Sequence, residues 1–306
     1  MLFFYCKTEN QDSFVPIKEP QEQCWIHVEG ALKEDLQYIC QLTGLHISDL
    51  SDTLDYYELP RLEKIHNHIL FFTRHPIEQE GHLHTITLTV ILAHSYFITI
   101  SPTKSPLIQE ILQGKSSTSL YKPSEFLVQI LLKIAHEFSS QIRKKRHSVM
   151  TQGKEMNAVD SEDIFLLTEY EEVLNQYLSS LDPLQMAVED LGKFGIDSLH
   201  DKASHEIDDI LNSVKQSENL CTSLIKNIRS LRDSYQIIFA NKLTRTIKLL
   251  TALTIIFSIP NMIASIYGMN VKLPFAEETY SFSLLIIAMF VTSALCGYWF
   301  YKKKWM

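Results

Sequence analysis

The stretch Leu249–Asn270, LLTALTIIFSIPNMIASIYGMN, decides how the chain is built. From Leu249 to Tyr267 it holds no Asp, Glu, Lys, Arg or His, and a helix needs roughly 20 apolar residues to cross the hydrocarbon of a bilayer. A second uncharged run, Tyr280 to Tyr301, follows a short loop carrying Lys272, Glu277 and Glu278, and the sequence closes on Lys302-Lys303-Lys304-Trp305-Met306. Two such runs predict a hairpin of two transmembrane helices. Lys242, Arg245 and Lys248 precede the first and three lysines follow the second, which predicts that both termini are cytoplasmic and the loop lies outside.

Spacing along the first run adds a second signal. Thr244, Ile247, Thr251, Thr254, Ser258, Asn261 and Ser265 recur at steps of three and four, while Leu249, Leu250, Leu253, Ile255, Ile256, Phe257 and Ile263 occupy the other faces. A small polar stripe at membrane depth must meet protein or water, because an unsatisfied polar group in hydrocarbon is costly. Several copies could turn this stripe toward one aqueous path. Equally, small residues could serve close helix packing, with hydroxyls bonded back to their own helix. The spacing alone leaves both open.

Upstream, the absence of Gly and Pro over the 64 residues from Ile196 to Ile259 predicts one helix on the order of 95 Å long. Ile207, Ile210, Val214, Cys221, Leu224, Ile228, Leu231 and Ile238 form its apolar seam. It is expected to run as a stalk into the membrane.

The rest of the body is acidic. Before Lys242 there are 21 Lys and Arg against 34 Asp and Glu, a net −13; from Lys242 onward 7 stand against 2, a net +5. That balance argues against nucleic acid as a partner and suits either simple solubility or an interior that draws cations. Cys6, Cys24, Cys40, Cys221 and Cys296 are odd in number and without metal-ligand spacing, and read as buried thiols in a reducing compartment. Met1-Leu2-Phe3-Phe4-Tyr5 lacks a basic leader and reads as a strand, not a signal peptide.

Up to about Pro106, strands are expected at Leu2–Cys6, Trp25–Val28, Ile69–Thr73, Leu83–Ala93 and Tyr96–Ile100, with a turn at Gly81 and a helix Leu32–Leu42 capped by Gly44. Helices are then expected over Ser124–Thr151 and Ser161–Leu181, with a new one opening at Pro183. Arg143-Lys144-Lys145-Arg146 reads as a solvated basic face answering the acidic helix nearby. The expected fold class is an α+β membrane protein. Its segments are an α/β domain over 1–120, a helical hairpin region over 121–202, a stalk and first span over 203–270, an outer loop over 271–279, a second span over 280–301 and a basic tail over 302–306.

Tyr267-Gly268-Met269-Asn270 closing the first of two C-terminal spans, with the aromatic, lysine-rich tail, resembles the CorA family of magnesium channels. The resemblance extends to Cys24-Trp25-Ile26-His27-Val28, Gly44-Leu45-His46 and Leu59-Pro60-Arg61-Leu62-Glu63. It implies a homopentameric funnel in a bacterial inner membrane, with lipid and divalent cations as its other partners, in which Gly268, Met269 and Asn270 form the selectivity ring. Mg2+ gives up its water reluctantly, so a ring of Asn carbonyl oxygens can bind the hydrated ion without holding it too tightly. Gly268 is expected to let the helix end there, freeing backbone carbonyls toward the axis. Ile247 and Leu250 match the family's apolar constriction, and Asn261 and Ser265 fall where its residues are polar or small; Pro260 is displaced by one residue from the family proline. The resemblance further implies regulatory Mg2+ between neighbouring subunits, held by Asp52 of one and Asp209, beside Asp208, of the next; the missing ATPase signature implies passive uptake, and the sequence leaves open whether Co2+ or Ni2+ also pass.

A zinc-transporting branch shares the motif, and His66 with His68 and His82 with His84, at same-face strand spacing among twelve histidines, keeps zinc as an alternative. A membrane-anchored scaffold that moves nothing is the other alternative. No nucleophile elbow, phosphate loop or HExxH motif suggests an enzyme.

Overall fold

The structure, a computed structural model, describes residues 1–7, 13–79, 82–114, 120, 122–152, 161–193, 201–271 and 280–305. Its strands are β1 (Leu2–Cys6), β2 (Val15–Ile17), β3 (Cys24–Glu29), β4 (Arg61–Ile65), β5 (His68–Gln79), β6 (His82–Leu92) and β7 (Tyr96–Ser101). They form one sheet in the order β2-β1-β3-β7-β6-β5-β4, antiparallel except for the parallel pair β3–β7. Its helices are α1 (Lys33–Thr43), α2 (Ile47–Leu50), α3 (Pro106–Gln113), α4 (Pro123–Gln152), α5 (Ser161–Lys193), α6 (Asp201–Tyr267) and α7 (Ser281–Lys302), with a 3-10 turn at Ser51–Leu54.

The chain divides into two compact units: Met1–Asn157 with Phe165–Leu231, and Ala158–Ile164 with Arg232–Met306. In the first, the alternation of β3 sends Cys24, Ile26 and Val28 to one side of the sheet, where they join Phe72, Ile91, Ile98 and Ile100 against Leu36 and Ile39 of α1. Trp25 points the other way and meets Phe126 of α4 with ring centroids 5.2 Å apart, while Phe97 approaches Phe126 to 4.6 Å. The indole Nε1 donates to the Thr99 hydroxyl at 2.9 Å, so the buried polar edge of Trp25 is satisfied.

Helices α4, α5 and the first part of α6 pack together in the same unit. Phe138 of α4 meets Tyr177 of α5 edge-on at 5.3 Å, and the Ser139 hydroxyl lies 2.7 Å from that of Ser217 on α6. The apolar seam expected of the stalk is buried at Ile207, Ile210, Val214, Cys221, Leu224 and Ile228. Gly44 ends α1 in the left-handed region at φ 76°, its N–H bonded to the Cys40 carbonyl at 2.8 Å.

Three expectations need correcting. No new helix opens at Pro183: α5 runs through it, with Leu181, Leu184 and Val188 all buried, so apolar packing on both sides offsets the hydrogen bond that the proline removes. His66 lies in the turn between β4 and β5, at φ 53°, and therefore does not share a strand face with His68. β5 continues six residues past Thr73, through Pro76. There β4 no longer pairs with it, so the proline falls where β5 has one open edge. Gly81 and most of the outer loop lie outside the described residues.

Candidate functional site

In the second unit, α6 and α7 carry apolar windows long enough to cross a membrane, and 6% of the first window and 0% of the second is buried within the chain. A core helix of a soluble protein would be mostly covered, so these surfaces require another apolar medium. Where the two helices meet, Ala252 is fully buried and Ile256 lies against Ser293 and Gly297 of α7. A Cβ on Gly297 would come 3.7 Å from Ile256 Cδ1, so Ser293 and Gly297, four residues apart, act as small residues that let the helices approach.

Pro260 sits inside α6 and has no N–H, which removes the usual partner of the Ile256 carbonyl. The Ser293 hydroxyl, 3.5 Å from that carbonyl, supplies a replacement donor from the other helix. Sequence reading missed Ser293; the signal was a hydroxyl on the second apolar run, recognisable only once its register against Pro260 is known.

The stripe residues lie on the far side of α6. Thr244, Ile247, Leu250, Thr251, Thr254, Ser258, Asn261 and Ser265 are all exposed in the single chain. At about 100° per residue, their centre falls roughly 180° around the helix from the Ala252 and Ile256 face. The Thr244, Thr254 and Ser258 hydroxyls donate to the carbonyls four residues back, at 2.8, 2.9 and 2.7 Å. Those bonds satisfy the donors while leaving oxygen lone pairs on the open face.

The helix ends at the motif, though not as a left-handed glycine would end it. Gly268 has no positive φ; its N–H continues the ladder to the Ala264 carbonyl at 3.0 Å, and Met269 closes a tighter turn onto Ile266 at 3.2 Å. A Cβ on Gly268 would stand 3.4 Å from the Ala264 oxygen and 3.5 Å from the Ser265 oxygen. The glycine therefore keeps carbonyl oxygens uncovered, and the conformational reason expected for it does not apply. Gly268, Met269 and Asn270 are exposed.

The carboxylates singled out by sequence lie in the first unit and are exposed. Asp52, on the 3-10 turn, accepts from Arg61 Nη2 at 2.7 Å. Arg61 also binds Glu58 and Glu63 and stacks over Phe72 with its guanidinium carbon 4.0 Å from the ring centre. Partial burial works against the Arg61 charge, yet the hydrogen bond and attraction of Glu63, with Glu58 and Asp52, hold its pKa above the ordinary value. Asp208 and Asp209 face outward on α6. Among the described residues no group of three or more His, Cys, Asp or Glu could hold a metal ion within one chain.

Residues 20–303 match the family described as CorA-like Mg2+ transporter protein. The "Magnesium transport protein CorA" of Wolinella succinogenes is 26% identical over 333 residues, covering 100% of both chains. The "Cobalt/magnesium transport protein CorA" of Methanocaldococcus jannaschii is 22% identical over 289 residues, 92% of this chain and 91% of that one. The complete CorA structure from M. jannaschii superposes with TM-score 0.79 at 20% identity, over 100% of this chain and 99% of that chain. The cytoplasmic domain of ZntB from Vibrio parahaemolyticus is more distant, with TM-score 0.61 at 13% identity over 78% of this chain and 98% of that one. The match over nearly the whole sequence, two exposed apolar helices and the Gly268-Met269-Asn270 end of the first agree, and the chain belongs to the CorA-like Mg2+ transporter family.

Proposed function

We propose that this chain assembles as a homopentamer in a bacterial inner membrane, with both termini cytoplasmic, and conducts hydrated Mg2+ inward, with Co2+ and Ni2+ as further cargo. The observation that carries the reading is the exposed polar stripe of α6 on the side away from α7. In a bilayer that face is costly toward lipid, and copies arranged in a ring would surround an aqueous path with it. Thr251, Thr254, Ser258, Asn261 and Ser265 would line that path, Ile247 and Leu250 would form a constriction that excludes ions by dewetting, and Asn270 carbonyl oxygens would accept hydrogen bonds from the water shell at the mouth. Entry is passive and driven by the membrane potential, about 2.3 kcal/mol per charge per 100 mV.

Gating follows from the acidic body. Asp52 of one copy and Asp209, with Asp208, of the next would repel until a divalent ion joins them, so that cytoplasmic Mg2+ holds the ring closed. Arg61, already on Asp52, is the cation such an ion must displace.

The test is Mg2+ uptake into liposomes containing the purified protein, with Zn2+ run in parallel. Wild type takes up Mg2+, and Asn270→Ala reduces uptake to the level of empty liposomes. Equal uptake by the mutant would remove Asn270 from the ion's path, no uptake above empty liposomes by either protein would leave only an anchored scaffold, and uptake of Zn2+ without Mg2+ would favour the zinc branch.

A further inference from the structure

Between α4 and α6, within the first unit, lies an open cleft of about 940 Å³. Its walls carry the cations Arg143 and Lys144 and the imidazoles His136 and His147, and its floor includes Ser139 and Ser213, whose hydroxyls are 3.3 Å apart. The small serines leave the space, and no carboxylate is among the lining residues. This is unexpected in a body with net charge −13. Elsewhere in the unit Lys133, Lys122 and Arg229 each hold a carboxylate within 2.9 Å, yet neither Arg143 nor Lys144 makes an ion pair with any described residue. Lys145 instead stacks on Tyr170 of α5 at 4.0 Å and is attracted by Glu169, so this residue of the basic run answers the acidic helix while Arg143 and Lys144 line the cleft.

We propose that this cleft binds the phosphate chain of a nucleoside polyphosphate in its metal-free form. Arginine and lysine with flanking hydroxyl donors recognise phosphate oxygens, and the space exceeds what a single phosphate would fill. A divalent ion on the chain cancels two of its charges, so a cationic cleft favours the uncomplexed form. That preference makes the occupant a gauge of magnesium shortage. Ser213 lies one helical turn beyond Asp209 on α6, so a ligand bridging α4 and α6 acts on the helix that carries the regulatory carboxylate. This role rests on the Mg2+-channel reading; the binding site does not.

The experiment is equilibrium dialysis of radiolabelled ATP against the full-length protein in detergent, with EDTA or with excess Mg2+, and with tripolyphosphate or adenosine as competitor. Saturable binding is expected in EDTA, about tenfold weaker with excess Mg2+, displaced by tripolyphosphate and not by adenosine. The double substitution Arg143→Glu with Lys144→Glu, on exposed positions, should abolish it without changing the melting temperature. No saturable binding at millimolar ATP, equal binding with and without Mg2+, displacement by adenosine, or binding that survives the charge reversal would each overturn the proposal. Loss of binding with liposome uptake of Mg2+ intact would remove this site alone; binding without any uptake would remove the channel reading and keep the site.

Discussion

Arg61 stands among Asp52, Glu58 and Glu63, and the balance among these four groups sets how readily a divalent ion can take Asp52. An ion must compete with a tethered guanidinium whose own charge is reinforced by all three carboxylates. Arg61→Gln removes the competitor, so half-closure should occur at several-fold lower internal Mg2+, read as flux against Mg2+ inside the liposomes; an unchanged half-point would show that Asp52 is not the sensor. The sequence supplied Asp52 and Arg61 in neighbouring motifs, but not their pairing, because a contact across the 3-10 turn has no periodic signature. Nearby in the same unit, His75 is fully buried, with Nε2 2.9 Å from the Ser105 hydroxyl and Nδ1 3.8 Å from Glu137. Burial pulls His75 down to about 4, while burial first, then Glu110, pushes Glu137 up to about 7 against the pull of Lys133. The two act in opposite directions. The neutral His75 stabilises the fold above its ordinary 6.5, and that contribution is lost as pH falls toward 4. The raised Glu137 contributes fully below its ordinary 4.5, and that contribution is lost as pH rises through about 7. Glu137→Gln should therefore raise the melting temperature relative to wild type at about pH 8 and give only a small part of that gain at about pH 5; a gain that is the same at both would contradict the raised pKa.

At the scale of elements, the contact between α6 and α7 depends on an exchange of donors. Pro260 frees the Ile256 carbonyl and Ser293 meets it from across the interface. Ser293→Ala should cost about 0.6 kcal/mol in the wild type and nothing in a Pro260→Ala background, where the helix supplies its own N–H. Equal costs in both backgrounds, measured by denaturation in detergent, would break the link. The elements best read from sequence were those with a strong period: the seam of α6, the alternation of β6, the two apolar runs. The missed strands, β2 and β4, are the two edges of the sheet, short and partly exposed, so their pattern carries little burial signal. α3 escaped for another reason. Its start depends on Ser105 capping the Ile108 N–H ahead of Pro106, a local bond within a helix of only 8 residues.

For the whole molecule, the division into an acidic body and a basic apolar end, and the Gly268-Met269-Asn270 terminus, were visible in the sequence and agree with membership of the family. What the stripe does was not visible, because spacing alone cannot separate close packing from a water-facing wall. The fold separates the two in part: packing against α7 uses the opposite side of α6, so the stripe is left for copies or water. The most direct measurement of this claim is thiol accessibility during flux. In a Cys296→Ser background, single cysteines at Ser258 and Asn261 on the stripe and at Phe257 on the flank are treated in Mg2+-conducting liposomes with a charged, water-soluble methanethiosulfonate. Rapid modification and block of Mg2+ uptake at Ser258→Cys and Asn261→Cys, with Phe257→Cys unreactive, is the predicted result; reaction at Phe257→Cys with the two stripe positions inert would contradict the account.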